Sequence, residues 1–143
     1  MAREDTVKMA ARKYGKYVVK ALANQEERLG RVAHLFGGKH FQGTNFSPAW
    51  VGLTKPLFMM KESHSHDYDE YLFFWGTNAG NIDEFAAEVE LCLGEEEEKY
   101  IITTPTVVYV PRGLKHCPLN FKIVDKPIMF MDISISPEYE AKK

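Results

Sequence analysis

One short segment of the chain places two histidines and an acid at spacings that suit metal binding. Residues 64–70 read HSHDYDE, with His64, His66 and Glu70 at even steps. Alternate residues of a β-strand face the same side, so an extended segment would present all three on one face. Two imidazoles on one face can hold one ion, and the carboxylate can add a third ligand. A His-x-His pair alone would be weak evidence.

A second segment supplies a further imidazole. Residues 111–116 read PRGLKH, and the proline and glycine predict a tight turn that presents His116 at the start of the next strand. Three imidazoles and one carboxylate form a ligand set for a single divalent Fe, Mn, Ni, Co or Zn ion. The two remaining histidines, His34 and His40, have no partner at such a spacing and are interpreted as surface residues.

Strand alternation around these residues predicts the walls of a cavity. Positions of the same parity are mostly apolar, which is typical of a pocket for a small ligand. The predicted lining consists of Phe58, Met60, Glu62, Leu72, Phe74 and Asn120. Glu62 is expected at the mouth, whereas apolar residues such as the four here are more often plain barrel core than pocket lining. The same parity predicts that Cys117 faces away from the ion.

The elements that must position these residues are short strands. Apolar or alternating runs cover residues 50–53, 57–61, 70–75, 87–93, 99–103, 106–110, 119–124 and 128–135. Prolines, glycines and charged turns separate them. Eight short strands at this spacing predict an antiparallel, all-β sandwich or barrel.

The N-terminal segment, residues 1–31, has a different pattern. It carries eight Lys/Arg against four Asp/Glu, and its apolar residues recur at three- and four-residue steps. A helix is predicted from about Glu4 to Tyr14, while residues 15–23 stay undecided between helix and strand. The basic face could contact RNA or a membrane. We favour a solvated face that packs on the barrel or on a second subunit.

Three aromatic residues of the third predicted strand have the wrong parity for the cavity. Tyr71, Phe73 and Trp75 would form an unusual apolar patch if a monomer left them exposed. Together with the N-terminal segment they favour a homodimer, the commonest closed assembly.

Length and charge limit the classes of protein that fit. The chain has 143 residues, enough for one domain, and a formal net charge of -2, which argues against nucleic-acid binding. No apolar run approaches the roughly 20 residues of a membrane-spanning helix, and the charged N-terminus does not resemble a signal peptide. Cys92 and Cys117 are too few for a disulfide framework. The expected location is therefore the cytoplasm, with both thiols reduced.

At this point the sequence resembles the cupin superfamily over about residues 45–135. The first cupin motif reads here as His64, His66, Glu70 and Gly76, and the second as Pro111, Gly113, His116 and Asn120. The chain departs from the motifs at three turn or packing positions. Phe58 and Pro105 replace the two leading glycines, and Gly76 comes one residue early.

The resemblance implies a double-stranded β-helix, a jelly-roll barrel with one divalent metal inside. It implies His64, His66, Glu70 and His116 as the four ligands. The expected organisation is an N-terminal extension over residues 1–31, helical in part, followed by a barrel over 32–143.

The superfamily includes both enzymes and non-catalytic binding proteins. The first hypothesis is a metal-dependent enzyme acting on a small oxygen-bearing organic molecule. With iron and dioxygen it would be an oxidoreductase of the dioxygenase type, and with other metals a decarboxylase or isomerase. Tyr68, Asp69 and Glu62 are the nearest acid/base candidates. The alternative is a protein that binds a small molecule through the metal and catalyses nothing.

Overall fold

A computed structural model describes residues 12–139 of the chain. These residues form ten antiparallel strands. The strands are β1 (Asn24–Glu26), β2 (Gly30–His34), β3 (Ser47–Leu53), β4 (Leu57–Met60), β5 (Glu70–Gly76), β6 (Ala87–Leu93), β7 (Glu98–Ile102), β8 (Thr106–Val110), β9 (His116–Val124) and β10 (Ile128–Ser134). A single turn of helix, α1, spans Gly37–His40.

The strands form two sheets that face each other. The larger sheet has the order β1-β2-β3-β10-β5-β8, and the smaller has the order β4-β9-β6-β7. Strands distant in sequence are therefore neighbours, as in a jelly roll. The predicted all-β class and all eight predicted strands are confirmed as β3 to β10.

The core lies between the sheets, where inward positions of both contribute apolar side chains. Phe74, Phe121 and Phe130 form its centre, with ring centroids 5.1–6.0 Å apart. Each lies on a strand whose side chains alternate between the two faces, so its neighbours in sequence face outward.

The N-terminal prediction needs correction. Most of the helix expected from about Glu4 to Tyr14 falls outside the described residues. Residues 15–23 form neither the helix nor the strand considered, but only a 3-10 turn at Gly15–Tyr17. The expected boundary at residue 31 lies inside β2, which pairs with β3, so the larger sheet begins before that boundary. Within residues 12–139, no helix is long and apolar enough to cross a membrane.

Three irregularities break the alternation of the smaller sheet. The pairing of β4 with β9 shifts between Phe58 and Met60. The pairing of β6 with β9 shifts twice, first between Glu88 and Val89 and then between Leu91 and Leu93. Such bulges change which side chains face inward. Cys117, next to the last of these shifts, has a positive φ of 84°.

Candidate metal centre

Backbone hydrogen bonds join the two histidine segments. His64 and His116 form a reciprocal bridge, with N–H to O distances of 3.0 and 2.9 Å. The Gly113 amide also donates to the carbonyl of His66 at 2.9 Å. The turn predicted at residues 111–113 therefore does more than present His116, because it holds the second segment against the first.

This backbone arrangement brings three imidazoles together. One ring nitrogen from each of His64, His66 and His116 lies within 4.8 Å of the others. The three residues are 7%, 2% and 2% exposed. Clusters of histidines at such burial are unusual without a function, because each polar ring loses contact with water.

Two backbone carbonyls determine which nitrogen of His64 and His116 is free to bind an ion. His64 Nδ1 lies 3.2 Å from the carbonyl oxygen of Glu62, and His116 Nδ1 lies 3.2 Å from that of Leu114. A carbonyl can only accept, so each Nδ1 carries the hydrogen and each Nε2 keeps its lone pair. Metal-binding histidines are oriented by partners of this kind.

Glu70, the first residue of β5, lies beside two of these imidazoles. It is 1% exposed, and its Oε1 and Oε2 lie 3.0 Å from His116 Nε2 and 3.5 Å from His66 Nε2. Two atoms each ~2.1 Å from one ion would be ~3.0 Å apart at a right angle and ~3.4 Å apart at the tetrahedral angle. Oε1 accepts no hydrogen bond from the described residues. A shared proton or a bound cation between Oε1 and His116 Nε2 would stabilise their facing lone pairs. Because three imidazoles surround the same point, the residues fit a divalent metal.

A second buried carboxylate, which sequence reasoning missed, lies beside Glu70. Asp132 is on β10, with Leu72 of β5 and Ala49 of β3 as its partners in register. Burial, the charge of Glu70 and a hydrogen bond to Glu70 raise the pKa of Asp132 well above its usual range. Burial also raises the pKa of Glu70, but the hydrogen bond from Asp132 opposes that rise. These directions favour protonation of Asp132, whose carboxyl group would then donate a hydrogen bond to the Glu70 carboxylate.

Burial lowers the imidazole pKa values. The pKa of His64 and the pKa of His116 both lie below the usual value, and desolvation is the largest cause for each. Neutral imidazoles are the form that binds a metal ion. The electrostatics of the cluster thus favour the protonation state that metal binding requires.

The cluster opens into two adjoining cavities. The inner one, about 70 Å³, is lined by His64, Glu70 and His116 together with apolar side chains. The outer one measures about 210 Å³. Five residues line both cavities: Met59, Met60, Phe130, Asp132 and Tyr139.

The structure brings some of the predicted lining residues to the cavity and places others elsewhere. Met60 and Leu72 line the inner cavity. Phe74 is 1% exposed and lies in the aromatic core. Phe58 is 40% exposed and pairs in register with Asn120, and neither lines the two cavities. The shift in β4 is the reason, because it turns Met59 inward as well as Met60.

Two further residues lie on a different side from the one predicted. Cys117 is buried and lines the inner cavity, and burial raises the pKa of its thiol to about 12. His34, expected at the surface, lines the outer cavity and stacks on Phe36 at 4.2 Å. Both cysteines are free thiols, as predicted.

The three acid/base candidates do not line either cavity. Tyr68 stacks on the ring of His66 with centroids 4.8 Å apart. The Asp69 carboxylate accepts a hydrogen bond from the Arg112 amide at 2.9 Å. Glu62 is exposed and contributes its backbone carbonyl to His64. In the part of the chain that the structure describes, the polar groups that do reach the cavities include Asp132, Ser134 and Tyr139.

Comparison with known proteins gives a structural match only. No family model and no curated protein matches the sequence. The structure is similar to oxalate decarboxylase of Bacillus subtilis, in a structure that concerns its Mn(II) centers. It is also similar to a structure that concerns the substrate binding mode of oxalate decarboxylase. Each is 17% identical, has a TM-score of 0.56, and covers 81% of this chain. A structure of the same enzyme at pH 4.6 also aligns at 0.56 and 17% identity, over 82% of this chain.

The chain has the cupin fold. This follows from the likeness to oxalate decarboxylase together with the three-histidine group at the expected place in the barrel. The chain spans only 28% of the length of those structures. At such low identity the likeness establishes the cupin fold, and the activity of the decarboxylase remains a property of that enzyme.

Proposed function

We propose that this cupin binds one divalent transition metal and acts on a small oxygen-bearing organic molecule. The observation that carries the proposal is the spacing of His116 Nε2 and Glu70 Oε1, two lone-pair donors 3.0 Å apart inside a buried cluster of three imidazoles. The ligands would be His64, His66, Glu70 and His116. The Mn(II) centers of the similar oxalate decarboxylase make manganese the first metal to test.

The protein's own contribution is to hold and shield the reacting group. A bound metal would polarise an oxygen of the substrate as a Lewis acid. A metal held by these four residues would keep room for a substrate ligand, and the inner cavity that three of them line would receive it. The apolar residues there, among them Leu72, Leu119 and Phe130, would exclude water from the bound substrate.

The reaction class that we propose is decarboxylation, dioxygenation or isomerisation. One observation favours the second candidate, a non-catalytic metal-dependent binding protein. None of Tyr68, Asp69 and Glu62 reaches a cavity, which leaves few groups for proton transfer. Turnover of candidate substrates by the metal-loaded protein distinguishes the two.

The metal itself is tested by its stoichiometry. Protein dialysed against Mn(II) and then against metal-free buffer should retain about one ion per chain by elemental analysis. His116→Ala removes one of four ligands, so the retained metal should fall close to zero. His40→Ala is the matched control, because His40 lies outside the cluster and bonds the Phe36 amide. Equal metal in both variants would contradict the proposed site.

The assembly and location are also proposals. Tyr71, Phe73 and Trp75 lie on the outer face of the larger sheet, where Tyr71 stacks on Tyr109 of β8 at 5.2 Å. Val107 and Tyr109 are 55% and 51% exposed. An apolar face of this kind supports a homodimer. The two free, buried thiols support a reducing compartment such as the cytoplasm.

A further inference from the structure

The cavities form a path from the protein surface to the candidate metal centre. At the buried end are His64, Glu70 and His116. At the other end is Arg28, which is exposed and lines the outer cavity. Because the two cavities share five lining residues, one ligand could occupy both.

The size of the outer cavity suits one small ring. Its volume of about 210 Å³ is below the ~300–1,000 Å³ of pockets for drug-sized ligands. In another protein, an apolar cavity of about 150 Å³ binds benzene. The described walls include Leu29, Val32, Val51, Met59 and Phe130, all apolar. A six-membered ring with one substituent therefore matches both the volume and the chemistry.

The walls of the path offer few groups that could bind a second ionised group on the ligand. Arg28 is the only lysine or arginine in the described lining; it lies at the surface end of the path, and two of its five N–H groups donate to the carbonyls of Phe58 at 3.1 Å and Met59 at 2.7 Å. The Ser47 hydroxyl donates to the Ser136 carbonyl at 2.6 Å and accepts from the Gly37 amide. A second carboxylate would lose its water against thioethers and a phenyl ring, which is costly.

We propose that the ligand is a small aryl monocarboxylate, with its carboxylate toward the three histidines and its ring in the outer cavity. This inference rests on the metal site proposed above and specifies its substrate class. The proposed ligand differs from the oxalate in the name of the similar decarboxylase. Oxalate has two carboxylates and no apolar group that could fill the outer cavity.

Ala49 offers a way to test the inference. It lies on β3, in register with His34 of β2 and Asp132 of β10, and it lines only the outer cavity. A larger side chain at position 49 would occupy the space assigned to the ring. Gly52, three residues further along β3, is the matched control. It is exposed, and an added Cβ would make only ordinary contact with Met129.

The experiment measures binding of benzoate and acetate to the Mn(II)-loaded full chain by calorimetry. The two probes share a carboxylate and differ in the ring. We expect benzoate to bind at least about tenfold more tightly than acetate, because the ring buries apolar surface. Ala49→Leu should reduce that ratio below about threefold, and Ala49→Val should reduce it less. Gly52→Ala should keep it, and every variant should retain one Mn(II) per chain.

The outcomes separate the two proposals. Bound Mn(II) with equal affinities for benzoate and acetate would overturn the ligand class and leave the metal site intact. A preference for benzoate that Ala49→Leu does not change would also overturn it, since the ring would then bind elsewhere. Failure to bind Mn(II) would overturn the proposed function and this inference together.

Discussion

The two imidazoles whose tautomers can be assigned are oriented in the same way. In His64 and in His116, the ring Nδ1 bonds the carbonyl of the residue two positions earlier. The two segments thus repeat one local geometry, which leaves Nε2 of each ring free of the backbone. The orientation of these rings depends on the backbone and not on other side chains. Substitutions of surrounding side chains should therefore disturb Glu70 more than these two rings.

Asp132 is the side chain that orients Glu70. Asp132→Ala removes the hydrogen bond to the Glu70 carboxylate, and such losses typically reduce metal affinity ~10–100-fold. Asp132→Asn should restore most of the affinity, because the amide donates a hydrogen as the protonated carboxyl does. A calorimetric titration of each variant with Mn(II) measures both changes in affinity.

Ser134→Ala serves as the control for that experiment. Ser134 occupies the next inward position on β10, in register with Glu70, and lines only the outer cavity. Its loss should leave the Mn(II) affinity near the native value. An Asp132→Asn variant as weak as Asp132→Ala would show that Asp132 carries a charge rather than a donated proton.

Strand alternation explains which site residues the sequence could predict. It correctly grouped His64 and His66, because extended backbone has a period of two. The same rule applied to β10 would have found Asp132, since Ile128, Phe130 and Asp132 alternate inward. It failed for Phe58 and Cys117, because a shift in pairing adds a residue to one strand without a signal in the sequence.

At the scale of the element, Gly76 determines how β5 ends. A Cβ at this position would lie 2.1 Å from the carbonyl oxygen of Glu84, too close for any side chain. Gly76→Ala should therefore push the backbone at Glu84 away from the end of β5. We expect a loss of about 2 kcal/mol in the free energy of unfolding and a fall of about 4–8 °C in melting temperature. Thermal denaturation followed by circular dichroism measures the change.

Gly80→Ala tests whether the effect at Gly76 is specific. Its added Cβ would meet only the side chain of Asn78, at 3.3 Å, in an exposed loop after β5. The melting temperature should fall by less than for Gly76→Ala. A comparable fall in both variants would indicate a general cost of losing glycine in this loop rather than a contact with Glu84.

The strands that sequence reasoning missed are those with the least regular pattern. β1 is exposed over all three residues, so it has no apolar alternation to detect. β2 follows it in a short hairpin and contains only one fully buried residue, Ala33. Arg28, between these strands, bonds two carbonyls of β4 and fixes the hairpin against the smaller sheet. Such a long-range contact cannot be predicted from local pattern.

At the scale of the whole molecule, the outer face of the larger sheet is the surface that we propose for the dimer contact. We expect light scattering to give a dimeric mass at micromolar concentration. Tyr109→Glu would place a charge in the exposed apolar face and should yield a monomer. Ile101→Glu is the control, because Ile101 is equally exposed at 50% but lies on β7 of the smaller sheet. A monomeric native chain would contradict the dimer.

The role of the N-terminal segment needs a separate variant. A chain that begins at Val19 keeps β1 and β2 and therefore keeps the larger sheet complete. If residues 1–18 help to build the dimer, this shorter chain should dissociate at higher concentration than the full chain. If both chains dissociate at the same concentration, residues 1–18 do not contribute to the dimer, which would then depend on the sheet face alone.

The reciprocal bridge between His64 and His116 has a consequence for folding. Its two residues are 52 positions apart, so their contact forms only after a long loop has closed. An unfolded chain holds no such cluster, and an ion that binds there selects the native state. At one hundred times its dissociation constant, that ion would add about 2.7 kcal/mol to the stability. The metal supply would then determine what fraction of the protein stays folded, as well as what fraction holds a metal.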